Sequence, residues 1–136
     1  MNLNELLNAI HDKVYSDSTL MTAVSSDVYF AHVPPSSGVT MPYITYHIID
    51  DIPGRHFDST EDYEQITVQF SVFDDRPSVA NINTIVSDLD LVFDRQALVY
   101  DNKTHVGCIR EGGVGPIQLE EENIWMQTVD YRIIYE

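Results

Sequence analysis

The stretch HVPPSSGVTMPYITYHII, residues 32–49, passes in one step from prolines, serines and glycine to an alternating run of β-branched and aromatic residues. Pro34 and Pro35 cannot donate a backbone hydrogen bond and Ser36-Ser37-Gly38 favours turning, so the first ten residues read as an irregular loop. From Pro42 the period is two. Tyr43, Thr45, His47 and Ile49 fall on one face and Ile44, Tyr46 and Ile48 on the other, which predicts a strand to about Asp51. Pro42 stands at its first position, where a missing donor does least harm. Ile52-Pro53-Gly54 signals a turn. Beyond an acidic loop, Gln65 to Phe73 alternates again, with Ile66, Val68, Phe70 and Val72 apolar, so the two runs form a long antiparallel hairpin.

Outward from this hairpin the pattern becomes helical. Asn2 with Glu5 three residues on reads as a capping box, and Leu3, Leu6, Leu7, Ile10 and Val14 recur at helical spacing, predicting a helix over 3–15. Asp17 or Ser18 can cap a shorter helical turn carrying Leu20, Met21 and Val24, and Val28-Tyr29-Phe30 is extended. After the hairpin, Pro77 suits a first helical turn, and Val79, Ile82, Ile85, Val86, Leu89, Val92 and Phe93 trace one stripe, predicting a helix over 77–94. Strands are expected at 97–100, 104–110 and 124–135, with the glycines of EGGVGPI (111–117) breaking the chain in a bend. In the last strand Trp125, Val129, Tyr131, Ile133 and Tyr135 face one way, and Met126, Thr128, Asp130 and Arg132 the other. The whole is one domain over 1–136, of α+β class: an antiparallel sheet of four to five strands with two main helices packed on one face. If the helices leave Tyr43, Thr45 and His47 bare, another subunit would cover them.

Charge narrows the partners. With 22 Asp plus Glu against 7 Lys plus Arg, the net charge is −15. A surface this acidic repels phosphate backbones and anionic membranes, so nucleic-acid grip is not expected. No run approaches the ~20 apolar residues of a membrane span, and MNLNELLNAI lacks the features of a signal peptide, so a soluble protein made in the cytoplasm is expected. The single cysteine, Cys108, excludes an internal disulfide and reads as a buried apolar side chain. His11, His32, His47, His56 and His105 show no metal-ligand spacing. Strand alternation puts His47 and Asp50 on opposite faces. DSTEDYE (58–64) resembles half of a calcium loop but has Tyr63 and Gln69 where a glycine and a glutamate are needed. EGGVGPI lacks the ending of a phosphate loop. No catalytic, metal or cofactor site is therefore expected. The loop from Asp50 to Glu64 sets six carboxylates against Arg55 alone, with Ile52, Pro53 and Phe57 among them, the composition of a docking or lining element. Glu120-Glu121-Glu122 reads as a solvated turn.

An N-terminal helix, Val28-Tyr29, a proline-containing loop, Pro42-Tyr43-Ile44-Thr45-Tyr46, Val68-Gln69-Phe70-Ser71-Val72-Phe73, a long helix and a closing Tyr131-Arg132-Ile133-Ile134-Tyr135 follow one another here. This order resembles the tail-completion and tail-terminator proteins of long-tailed bacteriophages and prophages over nearly the whole chain. The resemblance implies a non-enzymatic protein of the virion, assembled in the host bacterial cytoplasm. It also implies a homo-oligomeric, commonly hexameric ring that ends the tail tube and offers the surface for head joining. Its partners would be the tube protein and a head connector or stopper, with DNA passing through unbound. In such a ring, Asp58, Glu61, Asp62 and Glu64 are candidates for lining the DNA channel. Val33, Met41, Tyr43, Ile52 and Phe57 are candidates for subunit or tube contact, with core packing as the alternative. The acidic hairpin loop with Phe57 departs from the shorter glycine-rich loops of the family. A neck stopper, an acidic DNA mimic that inhibits a basic enzyme, and a small hydrolase are the competing readings.

Overall fold

The computed structural model describes residues 3–24, 28–30, 41–54, 63–75, 79–96, 98, 105–119 and 124–135. Among these residues three helices, α1 (Leu3–Tyr15), α2 (Ser18–Ala23) and α3 (Ala80–Phe93), accompany five strands. These are β1 (Val28–Phe30), β2 (Tyr43–Gly54), β3 (Tyr63–Asp74), β4 (His105–Leu119) and β5 (Ile124–Tyr135). They form one sheet in the order β1-β2-β3-β5-β4. β1 runs parallel to β2 and every other pair is antiparallel. The α+β class and the long β2–β3 hairpin are as the periodicity predicts; the parallel β1, held by only three residue pairs, is an addition to it.

Alternation places Ile44 and Tyr46 of β2, Ile66, Val68, Phe70 and Val72 of β3, and Val129, Tyr131 and Ile133 of β5 on one face, all buried. The helices bring Leu6, Ile10 and Val14 from α1, Leu20 from α2, and Ile82, Ile85, Leu89 and Phe93 from α3 into the same cluster. At its centre the Phe70 ring lies 4.9 Å from Phe93 and 5.8 Å from both Tyr46 and Tyr131. These side chains reach from four elements into one layer, so sheet and helices form a single core.

Helix ends follow local chemistry. Asp17 caps α2, its carboxylate accepting from the Leu20 N–H at 2.9 Å. α3 starts at Ala80 rather than 77, with Val79 at the cap and no side-chain cap bond; residues 77 and 78 lie outside the described residues. It stops because Arg95 takes the left-handed conformation, φ 59°, and turns its N–H away from the helix to the Cys108 carbonyl at 2.7 Å. The expected cap Asn2 lies outside the described residues, as does the side chain of Glu5, whose backbone is in α1, and of the expected strand 97–100 only Leu98 is described, buried and not in a strand.

Two further expectations are corrected. EGGVGPI does not break the chain: β4 runs through it and remains paired with β5, absorbing the glycines and Pro116 in register shifts at Arg110/Gly112 and Val114/Ile117. Such irregularities are tolerated because β4 is an edge strand, where one side of the ladder has no partner to lose. Of the three glycines in EGGVGPI, Gly113 alone is required by space, since a Cβ there would sit 2.2 Å from the Thr128 carbonyl oxygen, whereas Gly112 and Gly115 face open space. Gly113→Ala is therefore expected to lower stability by about 2 kcal/mol or more, while Gly112→Ala and Gly115→Ala stay within about 0.5 kcal/mol. Urea unfolding of the three variants checks the contrast, and equal losses would refute it.

The second correction concerns β2. A bulge between Ile48 and Asp50 leaves Ile49 unpaired and 45% exposed. The extra residue reverses the alternation, so Asp50, opposite Thr67, comes to the same face as His47, opposite Gln69. This is the reverse of the expected arrangement. The Asp50 carboxylate serves as a backbone acceptor, taking the Thr67 N–H at 3.1 Å.

Candidate assembly surfaces

The second face of the sheet is built of rows that cross the strands. Tyr43, Phe73, Met126 and Ile117 are consecutive cross-strand partners and form an apolar row. Tyr43 stacks on Phe73 with ring centroids 5.0 Å apart. The next row is Thr45, Ser71, Thr128 and Val114. Its hydroxyl residues are buried between larger neighbours, and the Thr128 hydroxyl accepts from the Val114 N–H at 3.0 Å. A polar row follows, His47, Gln69 and Asp130, in which the Gln69 amide donates to the Asp130 carboxylate at 3.0 Å. The next holds Asp50, Thr67, Arg132 and Ile109, and Arg132 pairs with Glu111 at 2.5 Å. Beyond it, nearer the tip of the β2–β3 hairpin, Ile52, Gln65, Ile134 and Gly107 are partners. The face thus passes from an apolar row at one end, through hydroxyl and polar rows, to a charged row and then an uncharged one near the hairpin tip. Along the edge strand Ile109, Val114 and Ile117 are exposed on it.

On the opposite side, the end of α3 is fastened to the edge strand by polar groups. Tyr131 donates its hydroxyl to Asp90 Oδ1, the Arg110 guanidinium meets Asp90 Oδ2 at 2.5 Å, and the Arg110 N–H donates to Asp94 Oδ1 at 2.9 Å. One turn of helix therefore holds both β5 and β4. Sequence reasoning missed this arrangement because its partners lie 16 to 41 residues apart. The spacing of Asp90 and Asp94, four apart on a helix, was its only local sign.

Burial pushes the Cys108 thiol up from 9.0 to about 12, with the Asp94 charge adding to the rise and Lys13 opposing it. Burial and then the bond to Asp90 raise the Tyr131 hydroxyl above its usual value as well. A thiol so protonated is a packing group, not a nucleophile. Both groups are neutral in the fold and ionise more readily once unfolded. The contribution of Cys108 is whole below about pH 9 and is lost as pH rises from 9 towards 12. Cys108→Ala is expected to flatten the alkaline loss of stability in that window by up to about 1.4 kcal/mol per pH unit. Urea midpoints from pH 7 to 12 for both proteins test this; parallel curves would contradict it. Asp88 on α3 is also raised, first by burial and then by the charge of Asp17.

Among the candidate contact residues, Tyr43 lies in the apolar row and Met41, half-buried, precedes it through a cis bond to Pro42. Ile52 stands opposite Gln65 in the hairpin arm, and Glu64 between Pro53 and Tyr135. Val33, Phe57, Asp58, Glu61 and Asp62 lie outside the described residues. Phe73, Met126, Val114 and Ile117 were not singled out in the sequence, because the two adjacent rows they belong to are assembled across strands whose register depends on the β4 shifts.

The fold defines a class: an α+β protein whose sheet is covered by helices on one face, while among the described residues no helix packs on the other. Among the described residues no group of three or more His, Cys, Asp or Glu is placed to hold a metal, and no helix is long and apolar enough to cross a membrane. No protein-family model matches the chain, and no curated protein matches it in sequence. Its fold is similar to that of a chain in the solved structure described as "Virion of native gene transfer agent (GTA) particle". That likeness has a TM-score of 0.79 at 18% identity and covers 98% of this chain and 96% of the other.

Proposed function

We propose that the protein is a non-enzymatic structural component of a phage-like particle, and within it a tail terminator that forms a ring on the head-proximal end of the tail tube. The observation that carries this reading is the end-to-end likeness of fold to a virion chain, with 98% and 96% of the two chains superimposed. The open sheet face and the order of sequence features fit it. In such a ring, of six copies on the family resemblance, Met41, Tyr43 and Ile52, with Val33 and Phe57, would touch neighbouring copies or the tube. Asp58, Glu61, Asp62 and Glu64 would keep the channel repellent to DNA phosphates. The partners would be tube protein below and a head connector or stopper above, without cofactor or membrane.

The test is to mix the protein with purified tail tubes and image them by negative stain. A ring at one end only, and tubes that no longer elongate, is the expected result. A protein that ignores tubes and binds a head connector is a neck stopper. One that stays monomeric and titrates a basic DNA-binding enzyme one to one is an acidic mimic. Either outcome overturns the terminator reading.

A further inference from the structure

We propose that the apolar end of the open sheet face, Phe73, Met126, Val114 and Ile117 beside Tyr43, is the surface on which a second copy of this chain packs. The inference rests on the reading that copies of the chain assemble, and adds which surface joins them. Phe73 and Met126 are only half-buried, Val114 is 50% exposed and Ile117 is 41% exposed, although four strands carry the row and the helices lie behind it. Apolar side chains contiguous along one row and its neighbouring Val114, on a face where no described helix packs, are what an association surface requires, whereas scattered ones are ordinary.

Charge decides the occupant. Two chains of net charge −15 repel each other, and any contact that buries carboxylate against carboxylate is unfavourable. The apolar row and the hydroxyl row beside it carry no ionisable acid or base, Tyr43 apart; the charged groups of this face, Asp50, Asp130, Glu111 and Arg132, sit towards the other end. A basic partner would be drawn to that end and to the helical side with Asp12, Asp17 and Asp88. A partner as acidic as this chain can approach only where carboxylates are absent. The uncharged rows therefore suit a like-charged copy and give a basic protein nothing to pair with.

Sedimentation velocity of the whole chain, alone and with tail tubes, at about 50 and 500 mM salt tests the proposal. Screening shortens the reach of the repulsion to a few ångströms, so association should strengthen as salt rises. Ile117→Asp and Val114→Asp place a charge at exposed positions and should weaken association tenfold or more with an unchanged thermal midpoint. Leu91→Asp, at a position 77% exposed on α3, should leave association as it is. If rings form and both patch variants assemble like the unaltered protein, this surface is not the contact, while the ring reading stands. Association that weakens with salt points to a charge-paired contact and overturns the proposal in the same way. Hydrogen exchange that protects β4 only when tube subunits are added would give the surface to the tube instead. A chain that forms no ring with or without tubes removes the reading and the inference together.

Discussion

Phe70→Ala is expected to destabilise the protein by about 3–5 kcal/mol, the range for emptying a buried aromatic site. The residue is 1% exposed and lies in β3, the middle strand of five. Its ring meets Tyr46 of β2, Phe93 of α3 and Tyr131 of β5, each on a different element. A void here cannot be closed by shifting one neighbour, because β2 and β5 are fixed in register to β3 on either side and Phe93 is set by α3. The loss is a large part of the roughly 5–15 kcal/mol that holds a domain of ordinary stability. At about 3 °C per kcal/mol, the thermal midpoint should fall by about 9–15 °C. Phe70→Leu keeps most of the volume and should cost about half as much or less. A loss below 1.5 kcal/mol for the alanine variant would mean that the sheet and α3 do not share the core described above.

How far the sequence revealed this core depends on how local each signal is. α1 ends where its leucines and isoleucines cease to recur, and β2 and β3 are visible because Tyr43 to Ile48, ahead of the bulge, and Gln65 to Phe73 alternate without a break. β1 has only three residues, and its partner lies across the loop, so nothing local shows that it is parallel or that it pairs with Ile44 to Tyr46. The glycines of β4 look like a break because turn propensity is counted without knowing that the strand sits at an edge, where bulges cost least. Ile49 looks like one more member of an alternating face, and only the pairing with β3 reveals that it is the extra residue. The same limit applies to the surfaces. Tyr43 stands out within one strand, but the row it belongs to appears only when three other strands are set in register beside it.

Asp90→Ala is expected to cost about 2–4 kcal/mol, a large loss for a side chain that is partly open to solvent. The Asp90 side chain is 28% exposed, and its worth comes from the two donors it serves. One is the hydroxyl of Tyr131, a residue with no exposed surface. Removing the acceptor leaves that hydroxyl in the core with nothing to bond, at a penalty of about 1–3 kcal/mol. The Arg110 guanidinium is more exposed and finds water, so its share is below about 1 kcal/mol. Tyr131→Phe takes away the orphaned donor along with its bond, so in the Asp90→Ala background it should recover part of the loss. A double-mutant cycle reads this directly, with a coupling of about 1–2 kcal/mol between Asp90 and Tyr131 and a smaller one between Asp90 and Arg110. The ordering matters more than the totals: if Arg110 coupled more strongly than Tyr131, α3 would be held to the sheet by surface charge, and raising the salt should then loosen it. With the buried hydroxyl as the main partner, the attachment of α3 should withstand 0.5 M salt, leaving the helical layer intact under the conditions that bring acidic copies together.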